Sequence, residues 1–395
     1  MKYDFDAVIE RRNTDSAKWS NLKSHFGSDN VLPMWLADMD FSIARPITEA
    51  LRKRMEHGIY GYTHPRPSLL HAVVHRMQQR YGWKVKAEWI AFTPGVIPAV
   101  SAAVRALTHP GDEVIVQDPV YHPFWSLVSQ AGCVTASNPL KLIDGRYEMD
   151  LEDLDRRFAR RGNTRPRVRA IVLCSPHNPV GRVWTREELV RAGTIVIDHG
   201  AVVISDEVHC EVLYRGQRHT PFASITEEFA QNSIVCMAAS KSFNLAGLAA
   251  STIIIPNERL RDQFTGARAG ILPQPDVFGL VALETAYREG DEWLEQMLAY
   301  LEANLEFMLD YFQKRIPRIK VIKPEGTYLV WLDCRGLGLT NEDLQAFFRK
   351  KARVGLDDGY IFGPGGNGFQ RINIACPRAT LEEALGRIER AVNSL

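Results

Sequence analysis

A lysine stands where lysines are rare. The apolar run Ile234-Val235-Cys236-Met237 passes through Ala238, Ala239 and Ser240 to Lys241, and Leu245 to Ala250 are again small and apolar. An ammonium in such surroundings is costly unless it is paired, neutral or covalently used. Desolvation lowers a lysine pKa, and the neutral amine attacks carbonyl carbon to give a Schiff base. The plainer reading is a stem lying on apolar surface with its ammonium in water. For an isolated lysine that is the commoner fate, so other residues must decide.

Further groups with chemistry follow other apolar runs. Ala201 to Ser205 leads into Asp206-Glu207-Val208-His209. An acid at the mouth of a buried strand needs a cationic or hydrogen-bonding partner. The protonated ring nitrogen of a pyridine cofactor is one such partner; a structural cap or a metal ion are others. Ala170 to Cys174 leads into Ser175-Pro176-His177-Asn178-Pro179-Val180-Gly181, a proline-stiffened loop in which Asn178 either donates to a ligand oxygen or is a plain turn residue. Thr93-Pro94-Gly95-Val96-Ile97-Pro98 precedes a helical pattern through Val100, Ala103, Val104 and Leu107. A glycine turn at a helix start exposes N–H groups and the positive end of the helix dipole, which suits a phosphate. The G-x-G-x-x-G spacing is missing, so a dinucleotide is not indicated. Tyr121 offers a ring to a flat ligand or simply packs locally. Arg371 offers a fork to a carboxylate or forms an ordinary ion pair.

These groups need elements to hold them. From about residue 88 short β-branched runs alternate with helical patterns: Trp89–Phe92, Val114–Val116, Ala170–Cys174, Ala201–Ser205, Ile234–Met237 and Thr252–Ile255. They are apolar on both faces, as strands covered by helices on both sides must be. The expected fold is α/β, with a mostly parallel central sheet and helices on both faces, and ligands beyond the carboxyl ends of the strands. Before it, residues 1–45 read as an irregular arm holding Trp19, Trp35 and Leu36 to Phe41. Pro46 opens a helix that stops at Gly58, and Pro65 and Pro67 read as breakers in a loop. After it, Leu294, Met297, Leu298, Leu301, Leu305, Met308, Leu309 and Phe312 mark one long helix. Two strand patterns, 328–332 and 370–374, and a closing helix through Leu381 and Val392 complete a smaller α+β unit built from both termini. The expected divisions are 1–45, 46–288 and 289–395. The cluster Gly363, Gly365, Gly366 and Gly368 precedes a strand and reads as a flexible turn.

Composition bounds the partners. The 395 residues are 45% hydrophobic and 24% charged with a net charge of +1, so no net field favours nucleic acid or an anionic membrane. The cluster Arg156, Arg157, Arg160, Arg161, Arg165, Arg167 and Arg169 reads as a solvated helix end and loop. Neither a signal peptide nor a bilayer-spanning run is expected. The six cysteines are dispersed without a C-x-x-C pair, which argues against zinc or a disulfide framework and for a reducing cytoplasm.

The order of these features resembles the fold-type-I pyridoxal-phosphate enzymes of the aminotransferase class I/II superfamily, along nearly the whole chain. Within it the wording is most similar to the MalY/PatB group of cystathionine β-lyase-type C–S lyases. The resemblance is carried by Leu32 to Phe41, Gly58-Ile59-Tyr60-Gly61-Tyr62, Pro176-His177-Asn178-Pro179, Ser205 to His209, Ser240-Lys241-Ser242-Phe243-Asn244 and Arg371-Ile372-Asn373. It implies pyridoxal 5'-phosphate held covalently by Lys241, with Asp206 on the pyridinium nitrogen and Asn178 on the phenolic oxygen. His209 would stand nearby, where many relatives have tyrosine. Tyr121 would stack on the ring, and Gly95, Val96, Ile97 and Ser240 would hold the phosphate. Tyr60 would reach the neighbouring subunit's phosphate, making the unit a homodimer. Arg371 would clamp the substrate α-carboxylate together with Asn178, and the Ala37-Asp38 backbone would close over it. Many relatives carry a phosphate-binding serine and arginine where this chain has Ala238 and Ala249, so fewer groups would hold the phosphate. Leu356-Asp357-Asp358-Gly359-Tyr360-Ile361-Phe362 is acidic where relatives usually have a Pro-Gly turn.

The activity so implied is β-elimination from an L-cysteine thioether, with Lys241 as base and Tyr121 as a candidate acid for the leaving thiolate. An aminotransferase using the same residues is the first rival. A regulatory protein that keeps the cofactor for its shape and binds a protein partner is the second.

Overall fold

The computed structural model describes residues 1–159 and 167–395. The apolar runs all become strands: β1 (Ile90–Thr93), β2 (Glu113–Val116), β4 (Val168–Cys174), β5 (Val202–Asp206), β6 (Ser233–Met237) and β7 (Ser251–Ile254). An edge strand unannounced by any apolar run, β3 (Val134–Ser137), joins them. The order across the sheet is β1-β7-β6-β5-β4-β2-β3. Neighbours run parallel except at β7, which is antiparallel to β1 and β6. The carboxyl ends of β1, β2, β4, β5 and β6 therefore lie along one edge, and the reversed β7 brings the residues preceding it to the same edge.

The all-apolar strands follow from burial on both faces. In β6, Ile234 and Cys236 pack in the layer of the helix Val96–Leu107, whereas Val235 and Met237 pack in the layer of the helix Val277–Glu289. Alternate side chains leave a strand on opposite faces, so both of these pairs are apolar.

Beyond the helix Asp291–Arg315 lies an antiparallel sheet of β8 (Lys320–Ile322), β9 (Leu329–Asp333), β10 (Asp357–Asp358) and β11 (Phe369–Asn373), ordered β8-β9-β11-β10. The helix Arg378–Val392 covers it. The N-terminal arm joins this unit, since Leu32 and Pro33 pair in parallel with Val354 and Gly355. The arm is more regular than its sequence suggests, with short helices at Ala17–Ser20 and Leu22–Phe26. Lys18, completely buried, bonds Asp40 at 2.7 Å, and Arg11 bonds Asp40 at 2.5 Å and Asp38 at 2.6 Å. Buried cations held this way fasten the arm to the segment 36–41.

Two local readings need correcting. Pro67 is no breaker within a loop; it opens the helix Pro67–Tyr81, where the missing N–H costs nothing. The glycine cluster is packed rather than free. A Cβ on Gly359 or Gly366 would collide with the other residue's carbonyl, and Gly365 N–H donates to Asp118 at 3.1 Å. Of the basic cluster, Arg156 and Arg157 pair with Asp153, and Arg169 pairs with Asp112. Arg160, Arg161 and Arg165 lie outside the described residues.

Candidate active site

The shared strand edge holds a cleft of about 190 Å³. Lys241 enters it from the short helix after β6, Asp206 from the end of β5, and Tyr121 and Asn178 from the loops after β2 and β4. Gly95, Val96 and Ile97 line it from the turn after β1, Ser240 from beside the lysine, and His209 from the loop after β5.

Lys241 is enclosed by protein but opens on the cleft. Its ammonium donates to the Ala37 carbonyl at 2.7 Å. Its pKa is lowered to about 8, chiefly by burial and also by Arg371, against the opposing charges of Asp38 and Asp206. Asp206 shows the converse. It is 3% exposed, and its carboxylate's only hydrogen bond among the described residues comes from Val208 N–H at 3.1 Å. Burial, aided by Glu207, raises its carboxyl to about 7 against the opposing Val208 hydrogen bond and Lys241 charge. An acid so placed lacks a cation, and a protonated ring nitrogen is one that would supply it.

The other groups complete the cleft. His209 is buried, its Nδ1 has no hydrogen-bond partner, and desolvation lowers its pKa to about 3, so the ring is neutral. Tyr121 has its pKa raised by burial and stays protonated. Gly95 stands at the N-terminus of the helix Val96–Leu107 with no side chain capping the first amides, which leaves N–H groups for an anion. Ala249 lines the cleft with a methyl group, and Ala238 is buried without lining it. Asn178 turns Oδ1 to the Arg371 guanidinium at 2.9 Å. Because arginine only donates, this orientation points the Asn178 amide nitrogen elsewhere as a donor. An aldehyde-reactive amine, a carboxylate without a cation, open helix amides and an aromatic ring are a donor set that fits a pyridine phosphate.

Residues 37–388 match the family model described as aminotransferase class I and II. The chain belongs to this family. Cystathionine beta-lyase PatB of Bacillus subtilis (strain 168) is 44% identical over 392 residues, covering 99% of this chain and 100% of that protein. Protein MalY of Escherichia coli (strain K12) is 31% identical over 399 residues, covering 100% of each. Cystalysin from Treponema denticola, whose crystal structure contains a pyridoxal 5'-phosphate cofactor, superimposes with a TM-score of 0.96 at 37% identity, covering 100% of both chains.

Within this family fold, some candidate residues stand apart from the cleft. Tyr60 is half exposed and bonds the Met55 carbonyl at 2.6 Å, in the last turn of the preceding helix Arg45–Glu56. The Asp38 side chain turns to Arg11, and its backbone N–H donates to Leu36 at 2.9 Å. Arg371 meets the site through Asn178 and also bonds the Trp35 carbonyl at 3.1 Å and the Asp357 carboxylate.

Residues not singled out in sequence hold the segment 36–41 over the lysine. Tyr328 donates to the Ala37 carbonyl at 3.0 Å, Asn373 to Leu36 and Asp38 at 2.7 Å each, and Asn244 to Met39 and Phe41 at 3.0 and 2.9 Å. Asn244 and Asn373 lie inside the quoted motifs. No local pattern marks Tyr328.

Proposed function

We propose that this chain is a pyridoxal-phosphate-dependent carbon–sulfur β-lyase. It acts on L-cystathionine or related L-cysteine S-conjugates and releases a thiol, pyruvate and ammonia. The carrying observation is that Lys241 and Asp206 share one cleft with their proton affinities shifted toward each other. The likeness to cystathionine beta-lyase PatB along its full length supports the substrate class.

When bound, the cofactor supplies an aldehyde for the lysine and a sink for the electron pair left as Cα loses its proton. Asp206 holds the proton on the ring nitrogen that makes the sink effective. Gly95, Val96, Ile97 and Ser240 would hold the phosphate, and Tyr121 would offer its ring to the cofactor's. Arg371 and Asn178 hold the substrate α-carboxylate, which fixes the direction of the Cα–H bond. Lys241, as a free amine, would take that proton. The thiolate departs from Cβ, and Tyr121, protonated in the free protein, gives it a proton. Water then releases pyruvate and ammonia from the unsaturated fragment.

The exposed Ile59, Tyr60 and Tyr62, with Ile271, support a homodimer in which Tyr60 serves the neighbouring site. All six cysteines are free and buried, which supports a reducing cytoplasm. The family description favours aminotransfer as the second reading. Incubation of holoenzyme with cystathionine alone separates the two. Pyruvate and thiol without a keto-acid acceptor support the lyase, and strict dependence on an acceptor overturns it.

A further inference from the structure

The acidic stretch 356–360 has a specific place beside the carboxylate site. Asp357 on β10 faces Arg371 on β11 in register, and their side chains form an ion pair in which both residues are buried. The guanidinium has five N–H donors. Nη1 gives one to Asn178, and Nη2 gives both of its donors, to the Trp35 carbonyl and to Asp357. Nε is buried without a hydrogen-bond partner among the described residues. Both two-pronged edges of an arginine fork include Nη2. No edge therefore offers two free N–H groups, and a carboxylate seeking a bidentate grip meets competition. Phe362 packs on the guanidinium at 4.9 Å, so the fork has little room to turn away.

We propose that Asp357 is a charge-compensating gate on Arg371, occupying the fork in the free protein and setting the affinity for substrate carboxylates. This rests on the reading of Arg371 as the α-carboxylate site. An incoming carboxylate must share the guanidinium with a fixed negative charge, so binding is weakened and carboxylate products leave readily. Asp357 acts through Arg371 and is a positioning residue.

The test uses holoenzyme and propionate, a bare carboxylate, with dissociation constants from thermal-shift titration and KM for cystathionine measured alongside. Asp357→Asn should tighten propionate about tenfold and lower KM in step, with kcat changed far less. Asp357→Glu should restore the parent value. Unchanged or weaker propionate binding by Asp357→Asn overturns the gate. Arg371→Ala separates the layers. If it leaves propionate binding intact, the carboxylate-site reading falls; if it weakens binding while Asp357→Asn does not tighten it, the gate alone falls. The parent protein gives a reading without any substitution. Propionate should bind no more than about tenfold tighter than neutral propionamide, and discrimination beyond about a hundredfold would mean an uncompensated buried cation and overturn the gate.

Discussion

Lys241 and Ala37, 204 residues apart, meet in a hydrogen bond of 2.7 Å from ammonium to carbonyl. Tyr328 donates to the same carbonyl oxygen at 3.0 Å. The lysine is thus parked against the segment that covers it, in surroundings that favour its neutral form.

That environment predicts selective reactivity. In cofactor-free protein at pH 8, about half of Lys241 is the neutral amine, against roughly 1% or less of an ordinary surface lysine. Trinitrobenzenesulfonate should label Lys241 ahead of other lysines, with an inflection near pH 8 by peptide mass spectrometry. Lys241→Ala should lower turnover by more than about 10³-fold.

Asp206 predicts a gain of stability on its removal. Its folded pKa, about 7, lies above the unfolded carboxyl value. The folded state then holds the extra proton, so stability is full below the unfolded pKa and is lost as pH rises through about 7. Cofactor-free Asp206→Asn should therefore match the parent near pH 4 and exceed it by roughly 2–4 kcal/mol at pH 8. Urea unfolding at the two pH values checks this. Turnover by the loaded variant should fall by about 10² or more, because the ring nitrogen loses its counter-charge.

Lys18 predicts the reverse. It is fully buried against Asp40, whose carboxyl is driven upward by burial but held below its ordinary value by Lys18 and Arg11. The depressed pKa means stability present above the unfolded value and lost as pH falls through the folded one. Lys18→Ala leaves that carboxylate with Arg11 and Trp19 alone and should cost about 3 kcal/mol by urea unfolding at pH 7. KM should rise as well, since Asp40 anchors the segment carrying Ala37.

Arg371 predicts a pairwise rescue. Arg371→Ala strands the buried Asp357 and should cost about 3 kcal/mol, while KM for cystathionine rises about a hundredfold. Adding Asp357→Asn should recover much of the stability and none of the KM. A double-mutant cycle in urea measures the coupling.

The sheet was legible because its strands are buried on both faces, so each apolar run marks one directly. The exception is Val134–Ser137, a half-exposed edge strand whose Val-Thr-Ala-Ser carries no such signal. Pro67 misled because proline ends one element and starts another with the same ring. The glycine cluster misled because close backbone contact and free rotation both call for glycine, and only the facing carbonyls tell them apart.

Lys241, Asp206, Asn178, Tyr121 and Gly95 were all readable in the chain. Each stands at or just past the end of a strand, and parallel strands carry their ends to one edge whatever the loop lengths. The contacts made over that edge were decided by tertiary structure. Ala37, Tyr328, Asp357 and Arg371 come from distant segments, and their contacts depend on how β9, β10 and β11 stack and on the arm that Lys18 ties down. A one-dimensional pattern records periodicity and neighbours. Which buried charge finds which partner across more than two hundred residues is settled only when the strands take their register.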